Sequence, residues 1–577
     1  MSHGPNRRAP LVFATAGALV TLLPLLAFAQ RVDSGTLLKS LPEIPVAPPR
    51  SDRVQVQPSE TPLPAAGKAD TGSSVEVRGF RFTGNQRFSQ QELASQLAAY
   101  LGTRVSFAGL EEAAGKIRNF YRSRGYFVAA AYLPKQTIEN GVVTIAVLEG
   151  QLGKVQAKVD ASSKLAPELV LKMSRALLPE GTPITEENFE RAMLIMGDLP
   201  TASARSTMKP GSVEGQADVD VTVAARGPRA SGVLAFDNSG ACATARTRET
   251  LGLSLDNLSG WADSTQVMVS KGNKPGNYNG AINFSLPANY LGSRVGVRYL
   301  DLDYRVNSDC APAVAALGLQ GRARISGLWF SHPVIRSQEQ NLNLRMEAQL
   351  KQFSDSELGN TTDKRVWSAT VGVDMDRRRL VRSNDPVQLQ LSLTLGGGRF
   401  NDATLAAQDA LGARTAGSFR KLGWNLNHVL PLSNTLSVAG MVYGQTSDRN
   451  LMGSEQHVAG GPGGVRAYPT SSGVGDRGVN ASLELRYAPP ELQNGRARTS
   501  VFGFYDLAWV QPRVSRSAGD PGPYTMSGVG LGLRLVDQFD YTLETSVAHR
   551  VGSQPNLGLS GSDASKTRAW ISLSKRF

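Results

Sequence analysis

From about residue 229 to residue 577, apolar and polar side chains alternate with period two in one segment after another. Leu342, Leu344, Met346, Ala348 and Leu350 share one face of an extended segment, with Asn343, Arg345, Glu347, Gln349 and Lys351 on the other. The runs at 387–395 and 528–535 repeat the pattern. Alternation over about ten residues, with turn signals between segments, is how a strand between lipid and a polar lumen reads. After residue 30 no apolar run approaches the roughly 20 residues a membrane-crossing helix needs. Two classes remain: a transmembrane β-barrel, and a soluble all-β protein of repeated hairpins.

The amino-terminal stretch favours the barrel. Arg7 and Arg8 lead into an apolar run from Leu11 to Phe28, broken by Pro24, and Ala27-Phe28-Ala29 precedes Gln30. This predicts an export signal over 1–29. The net charge of +13 fits a membrane surface or plain solubility in an exported chain, and no nucleic-acid partner is expected. Cys242 and Cys310 are the only cysteines; one disulfide and two unpaired thiols both fit. The five histidines are dispersed, so no metal site or cofactor is expected. G-x-x-x-x-G-K-[ST], H-E-x-x-H and G-x-S-x-G are absent from the sequence, and nothing suggests an enzyme.

Residues 30–74 are polar and proline-rich, the composition of an extended linker. One short amphipathic piece within them, carrying Leu37, Leu38 and Leu41, reads either as a docking helix or as part of a disordered leader. Two units of like order follow, at 75–150 and 151–226. The first predicts a strand over 75–83, helices over 89–101 and 110–124, and strands over 127–133 and 141–149. The second predicts strand 155–159, helices 167–178 and 185–196, and strands 202–209 and 217–224. Helices layered on a small mixed sheet make an α+β domain, whose exposed edge can accept an extended peptide.

In the remainder, 227–577, candidate strands start near residues 229, 247, 264, 277, 293, 321, 341, 364, 387, 419, 435, 478, 498, 525, 540 and 566. The count is about sixteen, even as single-chain bacterial barrels require. Long and short connections alternate. Long loops face outward, so the α+β units and the last strand's end lie on the periplasmic side.

The longest outer connection, 449–478, is glycine-rich and carries Val465, Arg466, Ala467 and Tyr468. Strand phasing points Glu484 into the lumen and puts Phe504 and Asp506 on one face of the next strand. A loop folded back into the lumen would bring Arg466 to both carboxylates, which a planar guanidinium can grip bidentately. The competing reading leaves Arg466 in water.

The signal, short helix, proline linker, paired α+β units, sixteen-strand barrel and V-R-A-Y loop together resemble the two-partner secretion transporters (TpsB type, ShlB/FhaC/HecB-like), relatives of the BamA-type assembly factors. The resemblance implies POTRA domains at 75–150 and 151–226, a pore plug around Leu37, Leu38 and Leu41, and a loop tip Val465-Arg466-Ala467-Tyr468 facing Asp506, Glu484 and Phe504. Ala467 stands where the family carries glycine, and alanine resists positive φ. It also implies an outer-membrane protein that secretes an unfolded haemolysin- or adhesin-like exoprotein, with membrane lipid and the barrel assembly machinery as further partners. The alternatives are an assembly factor for other barrels and a passive porin.

Overall fold

The computed structural model describes residues 33–41, 74–309, 315–381, 385–493, 495–553, 555–559 and 561–577. The expected export signal, nearly all of the proline-rich leader, and Cys310 lie outside these residues.

The first α+β unit is built on strand Val142–Leu148, which pairs in parallel with Gly79–Thr83 and antiparallel with Ala130–Tyr132. Helices Gln90–Ser95 and Phe107–Ser123 bury Leu93, Ile117 and Tyr121 against Val143 and Ile145. Ser89 starts the first helix as a capping box: its hydroxyl accepts the Glu92 N–H, and the Glu92 carboxylate takes the Ser89 N–H at 2.8 Å. Two expectations are corrected. The helix expected over 89–101 ends at Ser95 and gives way to a tight turn at Ala98–Tyr100, because Gly102, at φ +73°, reverses the chain so that Val77 can bond across to Thr103. The strand expected over 75–83 breaks there too, and Ser74–Glu76 pairs instead with Arg104–Ser106. Tertiary pairing here overrides local propensity.

The second unit repeats the topology. Gln216–Ala225 is central, parallel to Gln151–Val159 and antiparallel to Ala202–Pro210. Pro167 opens helix Pro167–Leu177 at a position where its missing N–H costs nothing, and Thr185 caps Glu186–Gly197.

Sixteen antiparallel strands then close a barrel. They are β1 (Ala230–Asp237), β2 (Arg248–Asp256), β3 (Ser264–Gly272), β4 (Tyr278–Pro287) and β5 (Arg294–Arg305). Next come β6 (Gln320–Arg336), β7 (Gln340–Glu357), β8 (Asn360–Arg377), β9 (Val387–Phe400) and β10 (Gly417–Pro431). β11 (Leu436–Ser447), β12 (Arg477–Tyr487), β13 (Ala497–Gln511), β14 (Tyr524–Asp537), β15 (Tyr541–Arg550) and β16 (Thr567–Arg576) complete it. β16 pairs with β1 over Ser572–Arg576 and Val233–Asp237, which closes the sheet. Met346, Leu350, Leu391, Leu393 and Leu531 are exposed on the outer wall, as lipid-facing positions must be. Pro333, which has no N–H to give, coincides with a register shift between β6 and β7. The connection between β9 and β10 holds a helix, Ala403–Leu411, capped by Asp402.

The second α+β unit sits against the rim that carries the short turns. The buried Arg336 guanidinium forks onto Asp198 at 2.7 and 2.8 Å, Arg191 donates to the Pro333 and Val334 carbonyls, and Asn257 donates to the Ser163 carbonyl. These contacts fix the unit to the periplasmic end, opposite the long loops.

Candidate site in the barrel lumen

The connection between β11 and β12 folds back into the lumen. Its two arms meet as a small hairpin, His457–Val458 with Val474–Gly475. His457 Nε2 shares a 2.7 Å hydrogen bond with Asn480 Oδ1, whose amide also donates to the Ala459 carbonyl. A side chain at Gly464 would meet that Asn480 amide at 2.9 Å, so a bare backbone is needed for the loop to pass this close to the wall. Burial pushes the His457 imidazole down to about 4.

At the tip, Arg466 is 6% exposed and Asp506 is fully buried. The guanidinium grips Asp506 bidentately, Nε to Oδ2 at 2.9 Å and Nη2 to Oδ1 at 2.7 Å, and the Arg466 backbone N–H adds a third bond at 3.0 Å. Nη1 donates to Glu484 Oε1 at 2.6 Å, and Nη2 also reaches Ser482 Oγ at 2.9 Å. The Phe504 ring lies beneath, its centroid 3.4 Å from Cζ. Arg486 holds the other oxygen of Glu484. A charge with this many partners is stable away from water, whereas removing one partner strands the others.

The rest of the tip is anchored by its backbone. Trp570 Nε1 donates to the Arg466 carbonyl at 2.8 Å, and Arg550 Nε donates to the Ala467 carbonyl at 3.1 Å while its guanidinium stacks on Tyr468. Val465 and Tyr468 are buried with Phe502, Ala508 and Met526. Ala467 is not among the non-glycine residues of positive φ, so no glycine is required there. Its Cβ fills the space beside Gly528, where a second Cβ would approach to 2.5 Å.

A second assembly occupies the lumen on the β5–β10 side. Ser34–Leu37 is one helical turn, capped by Asp33 and continued by a tight turn over Leu38–Ser40. Leu37 is buried among Leu302, Tyr304, Phe353, Val366 and Phe419 of the wall and Leu451 and Met452 of the folded-back loop, with Leu38 and Leu41 at the edge of the cluster. Asp33 pairs with Lys364 at 3.1 Å, Lys364 with Asp355 at 3.0 Å, and Asp355 accepts from Ser34 N and Tyr304 Oη. Gly35 lies so close to the loop that a side chain there would meet Ser454 N at 2.7 Å. The neighbouring Glu455 takes Lys351 at 2.5 Å and Lys421 at 2.9 Å. Burial pushes the carboxyls of Asp33 and Glu455 up, but the lysines beside them hold both below the usual carboxylate range.

The structure therefore brings Arg466, Glu484, Phe504 and Asp506 together, and places Leu37, Leu38 and Leu41 in the lumen. Cys242 is disulfide-bonded, while Cys310 is outside the described residues. The roles of Ser482, Arg550, Trp570 and the lysine–carboxylate network around Asp33 and Glu455 are not assigned from the sequence. Ser482 and Trp570 share the inward phase of their strands, and that signal could have found them. The partners of Asp33 lie more than three hundred residues away and leave no local signal.

The family model for haemolysin secretion/activation proteins ShlB/FhaC/HecB matches residues 215–535, and the ShlB-type POTRA domain model matches residues 75–150. The heme/hemopexin transporter protein HuxB of Haemophilus influenzae is 26% identical over 499 residues, 85% of each chain. The outer membrane transporter CdiB of Dickeya dadantii (strain 3937) is 24% identical over 464 residues, 77% of this chain and 78% of the relative. The solved structure of CdiB from Escherichia coli superposes with a TM-score of 0.68 at 21% identity, covering 98% of this chain and all of that one, which shows the shared fold.

Proposed function

The chain belongs to the haemolysin secretion/activation protein family ShlB/FhaC/HecB, and from that premise we propose that its lumen is closed by two separate locks, each opened when an exoprotein passes. The protein is an outer-membrane transporter of the two-partner secretion type, with its POTRA units in the periplasm. What remains to be assigned is the work of its residues.

One observation carries the proposal. The leader turn at 34–40 and the loop tip at 465–468 occupy the same lumen, and each is held by buried ion pairs and an apolar cluster. A polypeptide cannot share that space with both, so transport requires the Asp33–Lys364 and Arg466–Asp506 contacts to part or shift. The POTRA units receive the unfolded partner, a haemolysin- or adhesin-like exoprotein, in part by strand addition at an exposed sheet edge. Folding of the cargo outside supplies the drive. The barrel assembly machinery inserts the protein during biogenesis.

The test is co-expression with a large exoprotein whose export depends on this chain. Export to the medium is followed for the wild type, for Arg466→Ala, and for a chain lacking residues 31–74, with heat-modifiable gel migration reporting barrel insertion. Loss of export by an inserted Arg466→Ala barrel supports the tip's role, and unchanged export refutes it. Unchanged single-channel conductance after the truncation would sink the plug assignment.

A further inference from the structure

The outer ends of β5–β9 carry a feature that transport does not use. Outward-facing positions on these strands are fixed by phase. Tyr299, Leu328, Leu350, Trp367 and Leu395 are exposed large side chains of the lipid-facing wall. Moving toward the outer rim in the same phase, they are followed by Asp301, Asp303 and Arg305 on β5, Arg324 and Arg322 on β6, Gln352 and Ser354 on β7, Arg365 on β8 and Arg399 on β9. Cross-strand register sets them side by side: Asp303 with Arg322, Arg322 with Ser354, Gln352 with Arg365, and Arg365 with Arg399. Arg365 stands two residues beyond Trp367, roughly 7 Å along a strand, which is headgroup depth just above an aromatic belt.

Most of these residues line a recess of about 800 Å³ on the outside of the wall, with Arg305, Arg322, Arg324 and Arg365 against Asp303 and Asp363, and Arg399 stands beside it next to Arg365. The charge is uneven. Arg322 holds Asp301 at 2.5 Å and lies 3.8 Å from Asp303. Arg305, Arg365 and Arg399 are exposed and have no ion-pair partner among the described residues. With five arginines (305, 322, 324, 365, 399) against three aspartates (301, 303, 363), the patch is net +2. On β13–β16 the outward residues of the same tier are Gln511, Thr525, His549 and Thr567, so no arginine stands at that level on those four strands.

We propose that this recess binds the phosphorylated headgroup of an outer-leaflet glycolipid. Arg305, Arg324, Arg365 and Arg399 contact the phosphates, and Gln352 and Ser354 hydrogen-bond the sugar hydroxyls. Exposed guanidiniums directly above the lipid-facing wall, unpaired among the described residues at Arg305, Arg365 and Arg399 and loosely held at Arg324, 3.7 Å from Asp301, meet anionic groups anchored in the same leaflet, which they grip in bidentate fashion. The proposal rests on the membrane placement of the barrel and is independent of the lumen locks, so its failure would leave the transport reading untouched.

The experiment measures binding of bisphosphorylated lipid A and its dephosphorylated form to the purified full-length chain in detergent, by native mass spectrometry. The wild type is expected to prefer the phosphorylated lipid at least about tenfold, and Arg324→Gln/Arg365→Gln/Arg399→Gln is expected to bring the ratio near one. Heat-modifiable migration confirms that the variant is folded; if it is not, Arg365→Gln/Arg399→Gln, which breaks no ion pair, carries the measurement. Equal binding of both lipids by the wild type, or an undiminished preference in the folded variant, overturns the proposal. Displacement of the lipid by millimolar inorganic phosphate overturns the assignment to a lipid headgroup.

Discussion

The two assemblies in the lumen use the same chemistry in opposite senses. At the tip, the incoming segment brings the cation, Arg466, and the wall supplies the carboxylates. At the leader, the incoming segment brings the carboxylate, Asp33, and the wall supplies Lys364. Arg466 is gripped by a planar fork with several bonds of fixed direction, whereas Lys364 is a point charge shared between Asp33 and Asp355. The tip is also tethered at both ends by β11 and β12, so it returns to its seat by geometry. Among the described residues the leader turn has no such strand beside it, and its contacts hold it. Under the two-lock proposal, the tip is thus the specific lock and the leader the releasable one.

The sharpest way to break this contrast is Arg466→Ala. Removing one partner of a buried pair costs about 3–5 kcal/mol, so the melting temperature should fall and export should stop while the barrel still inserts. Arg466→Lys should not rescue, whereas Lys364→Arg should keep the leader docked. Replacing the pair together, Arg466→Met with Asp506→Leu, should destabilise less than Arg466→Ala alone, and a double-mutant cycle on thermal melts measures this.

Next in size is Leu37→Ala. It removes about 2–5 kcal/mol of apolar packing if the site does not collapse and frees the leader without touching the tip. Raised resting conductance with export retained is the expected outcome. Gly528→Ala comes third, with an overpacking cost of about 1–3 kcal/mol. It presses on Ala467 and should impair export, while the pairing Gly528→Ala with Ala467→Gly restores it.

The smallest effect is that of pH. His457 is neutral in the folded-back loop, its pKa depressed from 6.5 to about 4. A group whose proton affinity is lowered by burial favours the buried state fully above its free value. That advantage declines by about 1.4 kcal/mol per pH unit as pH falls from 6.5 toward 4. Asp33 and Glu455, held below the usual carboxylate range, act only at lower pH. Between pH 7.5 and 5.5 the frequency of channel opening should therefore rise roughly tenfold, and His457→Gln should abolish the dependence.

Much of this was legible in the residues because a barrel writes its phase into every strand. The expected strand starts fall within a few residues of the observed ones, and the phase alone aimed Glu484 and Asp506 at the same space as the tip. Sequence could not place the leader, since Asp33 meets Lys364 and Ser34 meets Asp355 only after the sheet has closed. Nor could it reveal that Ala467 has no positive φ, or that its Cβ fits beside Gly528 of β14. In the first POTRA unit, the short pairing of Ser74–Glu76 with Arg104–Ser106 was hidden because each piece is three residues long and neither alternates over enough positions to signal a strand.

The strand pairing of β16 with β1 covers Ser572 to Arg576, extended by bonds between Gly232 and Phe577 and from Asn238 to Ile571, whereas β16 pairs with β15 from Thr567 to Lys575. Just above that join, Trp570 of β16 donates to the Arg466 carbonyl. The loop tip is therefore a brace: it ties the last strand of the hoop to β12 and β13 across its interior. If the tip is also the stopper proposed above, withdrawing it to clear the passage would, in the same movement, slacken the hoop beside its shortest weld.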